Sequence, residues 1–120
     1  MSKISSFREL VVWQKSMDLA RQVHVVTLKF PKEEIFGLTQ QVRRATVSVP
    51  SNIAEGNGRA TTADYFHFLH VSRGSLFEAE TQLELARDFG YLPDSSLESL
   101  LSLCNEIERM LNSIITKLSR

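Results

Sequence analysis

The chain has 120 residues, of which 42% are hydrophobic and 23% are charged, a size that suits one domain with a core of its own. Its 14 basic and 14 acidic side chains cancel. No global positive field therefore favours RNA, DNA or an anionic membrane, and such binding would need a local patch.

The single cysteine, Cys104, excludes an internal disulfide framework and a cysteine zinc cluster. No segment approaches the ~20 consecutive apolar residues that span a bilayer, and the N-terminal sequence MSKISSFREL lacks an apolar run of signal-peptide length. We therefore expect a soluble, cytoplasmic protein that forms one domain over residues 1–120.

The first predicted helix begins near Ser6, whose spacing to Glu9 suits a reciprocal N-terminal cap, and ends before Pro31. Its apolar positions form two adjacent rows: Leu10, Trp13, Met17, Ala20, His24 and Thr27, and Val12, Leu19, Val23, Val26 and Phe30. Together they cover about half of the helix, more than the ~100° stripe of a simple surface helix. This width predicts two neighbours, and the first row predicts that His24 lies in the core.

Three further helices carry heptad-like apolar seams with many small residues. The seams are Leu38, Val42, Ala45, Val49, Ile53 and Gly56, then Tyr65, Leu69, Ser72, Leu76, Ala79, Leu83 and Ala86, then Leu97, Leu100, Cys104, Ile107, Leu111, Ile114 and Leu118. Ser95 and Glu98 have capping-box spacing at the start of the last helix. Gly74, inside the third, predicts close packing against another helix of the bundle.

No segment alternates with period two, and short turns join the helices, so the pattern predicts an all-α fold: an antiparallel up-down four-helix bundle.

Pro50 interrupts the second helix, where it removes an amide donor and frees the carbonyl of Thr46. Either a specific donor or solvent can satisfy that carbonyl. Beside the seam of this helix runs a short-chained polar row of Gln41, Arg44, Ser48, Ser51, Asn52 and Glu55. Ser and Asn are poor helix formers, which suggests that something packs on this row.

Several short blocks of the sequence, in the order in which they occur, resemble the 23S ribosomal RNA intervening-sequence family of small bacterial proteins. The blocks that carry the resemblance are Phe7 to Leu10, Val12 to Lys15, Phe30 to Glu34, Gly37 to Thr39, Gln41 to Ala45, Ser48 to Gly56, Gly74 to Leu76 with Glu78, and Gly90 to Leu92. The resemblance implies a four-helix bundle that assembles into a ring, a homopentamer, with no defined biochemical role. It also implies a relative in diversity-generating retroelements, the accessory variability determinant protein, which associates with a reverse transcriptase and nucleic acid. That relative is basic, whereas this chain is neutral.

Four arginines are candidate phosphate or partner contacts, because guanidinium groups suit phosphate oxygens: Arg43, Arg44, Arg59 and Arg73. The alternative is structural pairing with acidic groups of a neighbouring helix or subunit. We favour pairing, since arginine is enriched at protein interfaces and the chain has no net charge. Glu55 is expected to pair with a basic group in the same way.

The third helix carries an aromatic and basic strip beside its seam, formed by Phe66, His70, Arg73 and Phe77. Bases of single-stranded nucleic acid could stack there. Burial against a second subunit is the simpler interpretation. The predicted oligomer interface is therefore Phe66, His70 and Phe77 with Ser48, Asn52 and Glu55.

Enzyme chemistry has little support in the sequence. Asp64, His67 and His70 step by three around the third helix and diverge, so no metal ion is expected. Cys104 lies in an apolar seam and should stay a protonated, inert thiol. No cofactor or small-molecule substrate is inferred. The leading hypothesis is a non-enzymatic assembly protein; the alternatives are a nucleic-acid-binding or reverse-transcriptase accessory protein and an enzyme hidden in the bundle core.

Overall fold

The computed structural model describes residues 5–119, which form four α-helices with no β-strand among them. The helices are α1 at Val11–Thr27, α2 at Leu38–Asn57, α3 at Thr62–Asp88 and α4 at Asp94–Leu118. Single 3₁₀ turns lie at Phe7–Glu9 and Lys32–Glu34. Two predictions from the sequence concern some residues outside this range. They are the lack of a signal peptide and the single domain over residues 1–120.

The helices pack as a four-membered bundle in which neighbours along the chain are neighbours in space. The backbones of α1 and α2, α2 and α3, α3 and α4, and α4 and α1 approach each other, whereas within residues 5–119 the diagonal pairs α1–α3 and α2–α4 have no Cα atoms within 8 Å of each other. The most extensive contact is between α2 and α3. The short connections at residues 58–61 and 89–93 fit antiparallel neighbours. The predicted four-helix architecture is confirmed.

The core lies where the seams of α2, α3 and α4 meet the second apolar row of α1. The fully buried large side chains include Leu19, Val23, Val42, Val49, Ile53, Leu69, Leu76, Leu83, Leu100, Ile107 and Leu111. The buried seam positions confirm the helical periodicity that the sequence predicted. The two neighbours predicted for α1 are α2 and α4.

The first apolar row of α1 departs from the prediction because most of it stays at the surface. Trp13, Met17 and Ala20 are half-buried, and His24 is exposed. The interpretation of His24 as a core histidine is therefore wrong. The two neighbours of α1 cover its Val12 to Val23 row, and the first row remains on the outer side beside α2.

Two predicted helix caps differ in the structure. Ser6 Oγ accepts a hydrogen bond from the backbone N–H of Arg8 at 3.2 Å, while the Glu9 carboxylate accepts from the N–H and hydroxyl of Ser5, so this cap closes a 3₁₀ turn ahead of α1. At the other site α4 already begins at Asp94, so the predicted capping box of Ser95 does not form. Pro93 holds the N-cap position, with no side-chain cap hydrogen bond.

The glycine at the closest helix contact is Gly56, not Gly74. A Cβ at position 56 would lie 2.7 Å from the Cβ of Phe68 and 3.0 Å from Cδ1 of Tyr65, both on α3. Position 74 is exposed, and a Cβ there would meet no described atom within 4 Å. The prediction that Gly74 packs against another helix of the same bundle is therefore wrong.

Candidate interaction surface

A groove with a volume of about 610 Å³ lies between the outer sides of α1 and α2. Its walls are mostly apolar: Trp13, Met17, Ala20 and Val25 on α1 and Val47, Pro50 and Ala54 on α2. Arg21, His24 and Ser51 add polar groups. We call this surface the α1–α2 groove.

The groove follows from the spacing of α1 and from small residues on α2. Trp13, Met17, Ala20 and His24 recur at steps of four, three and four, which places them along one line of the helix. Val25 and Val47 flank it and are 61% and 55% exposed. The double apolar row of α1 is the sequence signal for this surface, although the sequence predicted that His24 of that row lies in the core.

A polar hollow of about 340 Å³ lies between α2 and α3, lined by Gln41, Arg44, Ala45, Ser48, Ser75 and Glu78. A small depression formed by Arg43, Arg44, Val47 and Ser48 lies on α2 between this hollow and the α1–α2 groove. Val47 also lines the groove, and Arg44 and Ser48 also line the hollow.

Three of the four candidate arginines are held by contacts within the chain. Arg43 Nε donates to Thr27 Oγ1 at 2.8 Å, which ties α2 to the end of α1. Arg59 pairs with Glu55 at 2.7 Å. Arg73 donates to Asn112 Oδ1 of α4 at 2.8 Å. These contacts agree with structural roles for the three side chains.

Arg44 differs from the other three because it is exposed and, within residues 5–119, has no carboxylate within 4 Å. We expected Glu55 to pair with a basic group of a neighbouring helix or subunit. It pairs instead with Arg59, four residues later on the chain. The guanidinium of Arg59 also lies over the ring of Phe68, 5.0 Å from its centroid.

The aromatic strip of α3 is divided between the chain's own core and its surface. Phe66 is half-buried against the core, and its ring lies 4.5 Å from that of His70. His70 Nδ1 lies 3.0 Å from Arg73 Nη2, whose guanidinium reaches α4. Phe77 is 44% exposed. Within the strip, Arg73 thus contacts α4, whereas Phe77 remains exposed.

The small polar row of α2 is engaged by hydrogen bonds around Pro50, through which α2 continues unbroken. Ser48 Oγ and Ser75 Oγ of α3 are 2.8 Å apart. Side chains donate to three consecutive carbonyls just before the proline: Ser51 to Val47, Asn52 to Ser48 and Ser72 of α3 to Val49. Of the predicted row, Ser48 thus contacts α3 of the same chain, whereas Gln41, Arg44, Ser51 and Glu55 are exposed.

Titratable groups elsewhere do not converge on a site. Among residues 5–119 no three His, Cys, Asp or Glu side chains come close enough to share a metal ion. Burial raises the pKa of the Cys104 thiol to about 12, with a contribution from the nearby carboxylate of Glu80. Burial and the neighbouring Glu108 and Glu84 raise the pKa of Glu80. Of the helices described, none is both long and apolar enough to cross a membrane.

Comparison with known proteins extends the motif resemblance. The profile of the 23S rRNA-intervening sequence protein family matches residues 8–113. The chain belongs to this family. A crystal structure of a protein with unknown function from the S23 ribosomal protein family of Bacteroides thetaiotaomicron VPI-5482 is similar to it, with 29% identity and a TM-score of 0.80. The alignment covers 88% of this chain and 96% of that one. No curated protein matches the chain.

The crystal structure of the related protein shares the all-helical fold of this family member. The matched residues include all of α1, α2 and α3 and most of α4, so they contain both walls of the α1–α2 groove. The resemblance noted from the motifs is therefore confirmed at the level of the family.

Proposed function

We propose that this member of the 23S rRNA-intervening sequence family is a non-enzymatic assembly protein that associates with copies of itself into a ring. Five subunits is the number that the motif resemblance implies. The single observation that carries the proposal is the α1–α2 groove, an apolar concavity of about 610 Å³ that no element of the chain's described residues fills.

Further apolar side chains outside the groove support assembly. Phe77 and Leu85 on α3 are 44% and 41% exposed, in addition to the groove valines. Exposed apolar surface favours association, because leaving it in water costs about 25 cal/mol per Å². Self-association removes such surface from water without requiring a second gene product, and a head-to-tail contact between identical subunits gives a ring when the rotation closes.

The test is the mass of the purified protein by light scattering after size-exclusion chromatography at micromolar concentration. One chain weighs 13.6 kDa. We expect a single species with a mass several times that value, and five times for a pentamer. A monomer under these conditions would overturn the proposal.

A second candidate function, nucleic-acid binding as in a reverse-transcriptase accessory protein, has one favourable observation. Arg44 is exposed beside the polar hollow, and no carboxylate of residues 5–119 lies within 4 Å of it. Anisotropy of labelled single-stranded RNA at low and high salt tests it, because phosphate contacts weaken steeply as salt rises. Salt-dependent binding that Arg44→Gln weakens would favour this function. No binding at low salt would remove it.

A further inference from the structure

We infer that copies of this chain meet head to tail, with the outer face of α3 from one copy lying in the α1–α2 groove of the next. The inference rests on the proposed self-assembly and names the two surfaces that perform it. The outer face of α3 is defined here as Val71, Gly74, Phe77, Glu78, Thr81, Glu84 and Leu85, all of which are exposed.

The outer face of α3 is shaped to approach another chain closely. Gly74 lies on its midline, and a helix-interior glycine costs up to ~1 kcal/mol relative to alanine. No described atom lies within 4 Å of where its Cβ would be, so packing inside the chain does not account for it. Val71 and Phe77 flank it and are 38% and 44% exposed. A gap between two apolar side chains suits a close contact with a second protein surface.

The two surfaces carry opposite charge. Arg21 and His24 line the α1–α2 groove. The outer face of α3 carries Glu84 instead, together with Glu78, which also lines the polar hollow beside Arg44 of its own chain. Within residues 5–119, neither Arg21 nor Glu84 has an ionic partner within 4 Å. Bringing the groove onto the α3 face pairs these charges across the contact.

The charges also argue against a symmetric contact. If two grooves faced each other about a two-fold axis, Arg21 of each copy would approach the basic groups of the other, and like charges opposed at an interface are costly. Two α3 faces would oppose Glu78 and Glu84 in the same way. A head-to-tail contact avoids both arrangements.

The placement of the surfaces allows one copy to use both at once. The groove lies between α1 and α2, whereas the outer face of α3 borders α2 and α4. One copy can therefore receive the α3 face of a second copy while presenting its own α3 face to a third. Repetition of such a contact gives a closed ring when a whole number of the rotations that relate neighbouring copies adds up to a full turn.

Two complementary variants test the inference. Val47→Asp places a charge in the α1–α2 groove and leaves the α3 face intact, and Phe77→Asp does the converse. Both residues are exposed, so each variant should fold, which circular dichroism and thermal unfolding check. We expect each variant alone to fall to the mass of one chain, 13.6 kDa. Mixed in equal amounts, they should form a dimer and stop there, because one intact contact remains and the free surfaces are both altered.

Val11→Asp is the matched control, since Val11 is 52% exposed and lies beside α4, outside both surfaces. It should assemble as the unaltered protein does. Folded variants that remain monomeric when mixed, or a Phe77→Asp protein that assembles normally, would overturn the head-to-tail contact and leave self-assembly standing. A monomeric unaltered protein would instead remove the proposed function itself.

Discussion

Gly56 and Phe68 mark the point where α2 and α3 lie closest, because a Cβ at position 56 would be 2.7 Å from the Cβ of Phe68. Atoms so near the backbone cannot rotate away, unlike the end of a long side chain. The hydrogen bond from Ser72 Oγ to the carbonyl of Val49, at 2.8 Å, fixes the same pair of helices further along. Together they hold the second wall of the groove, α2, at a set distance from α3.

Gly56→Ala should destabilise the fold. Overpacking of this kind costs about 1–3 kcal/mol, and the helix propensity of alanine returns up to ~1 kcal/mol, so we expect a net loss of about 1–2 kcal/mol. Urea unfolding followed by circular dichroism measures it. Gly58→Ala is the matched control, because its Cβ would lie 3.7 Å from the nearest carbonyl oxygens, an ordinary contact. Equal stability of the two variants would contradict the close approach.

The adjacent residues Arg43 and Arg44 should respond differently to the same substitution. Arg43→Gln removes a charged donor 2.8 Å from Thr27 Oγ1 that links α2 to the end of α1, so we expect a loss of about 1 kcal/mol. Arg44→Gln should change the free energy of unfolding by less than about 0.5 kcal/mol, as exposed substitutions usually do. Urea unfolding compares them. If Arg44→Gln were the more destabilising, the structural assignment of Arg43 would be wrong.

The bundle itself could be predicted from the sequence because the spacing of apolar residues that determines each buried helix face is local and periodic. The seams of α2 and α3, from Val42 to Ile53 and from Leu69 to Ala86, are buried as their spacing requires. A helical period fixes which residues share a face, and short turns fix which helices are neighbours. The family resemblance rested on motifs and needed no geometry.

The candidate surface was less predictable because it depends on which partner covers each face. Two apolar rows on α1 looked equivalent, yet Val23 is buried and His24 is exposed, since α2 and α4 approach one side only. Gly74 was expected to pack inside the bundle, yet position 74 is exposed. Arg59 and Glu55 pair with each other because a contact one helical turn away needs no second element.

Glu80→Gln should stabilise the fold at neutral pH. Burial, with Glu108 and Glu84 nearby, raises the pKa of Glu80 above its ordinary 4.5, and its Oε2 is buried without a hydrogen-bond partner among residues 5–119. The folded state therefore disfavours the charged carboxylate. This cost exists at pH values well above 4.5 and vanishes below 4.5, where the carboxyl is protonated in both states.

Urea unfolding of Glu80→Gln at pH 7 and at pH 4 measures the effect. We expect a gain in the free energy of unfolding at pH 7 and little difference at pH 4. Glu108→Gln should give a smaller gain in the same direction, because it removes only one of the charges that act on Glu80. Glu33→Gln, at an exposed carboxylate, is the control and should change little. A gain at pH 4 as large as at pH 7 would rule out the titration of Glu80 as the cause.

The thiol of Cys104 should be protected from modification in the folded protein. It is fully buried in the seam of α4, and burial raises its pKa to about 12, so very little thiolate exists at pH 8. A chromogenic disulfide reagent should therefore label it slowly in native buffer and rapidly in concentrated urea. Ser102→Cys supplies a matched exposed thiol on the same helix. In that variant we expect the thiol introduced by the substitution to react at least ten times faster than the Cys104 thiol. If both thiols reacted equally fast, Cys104 would lie outside the core.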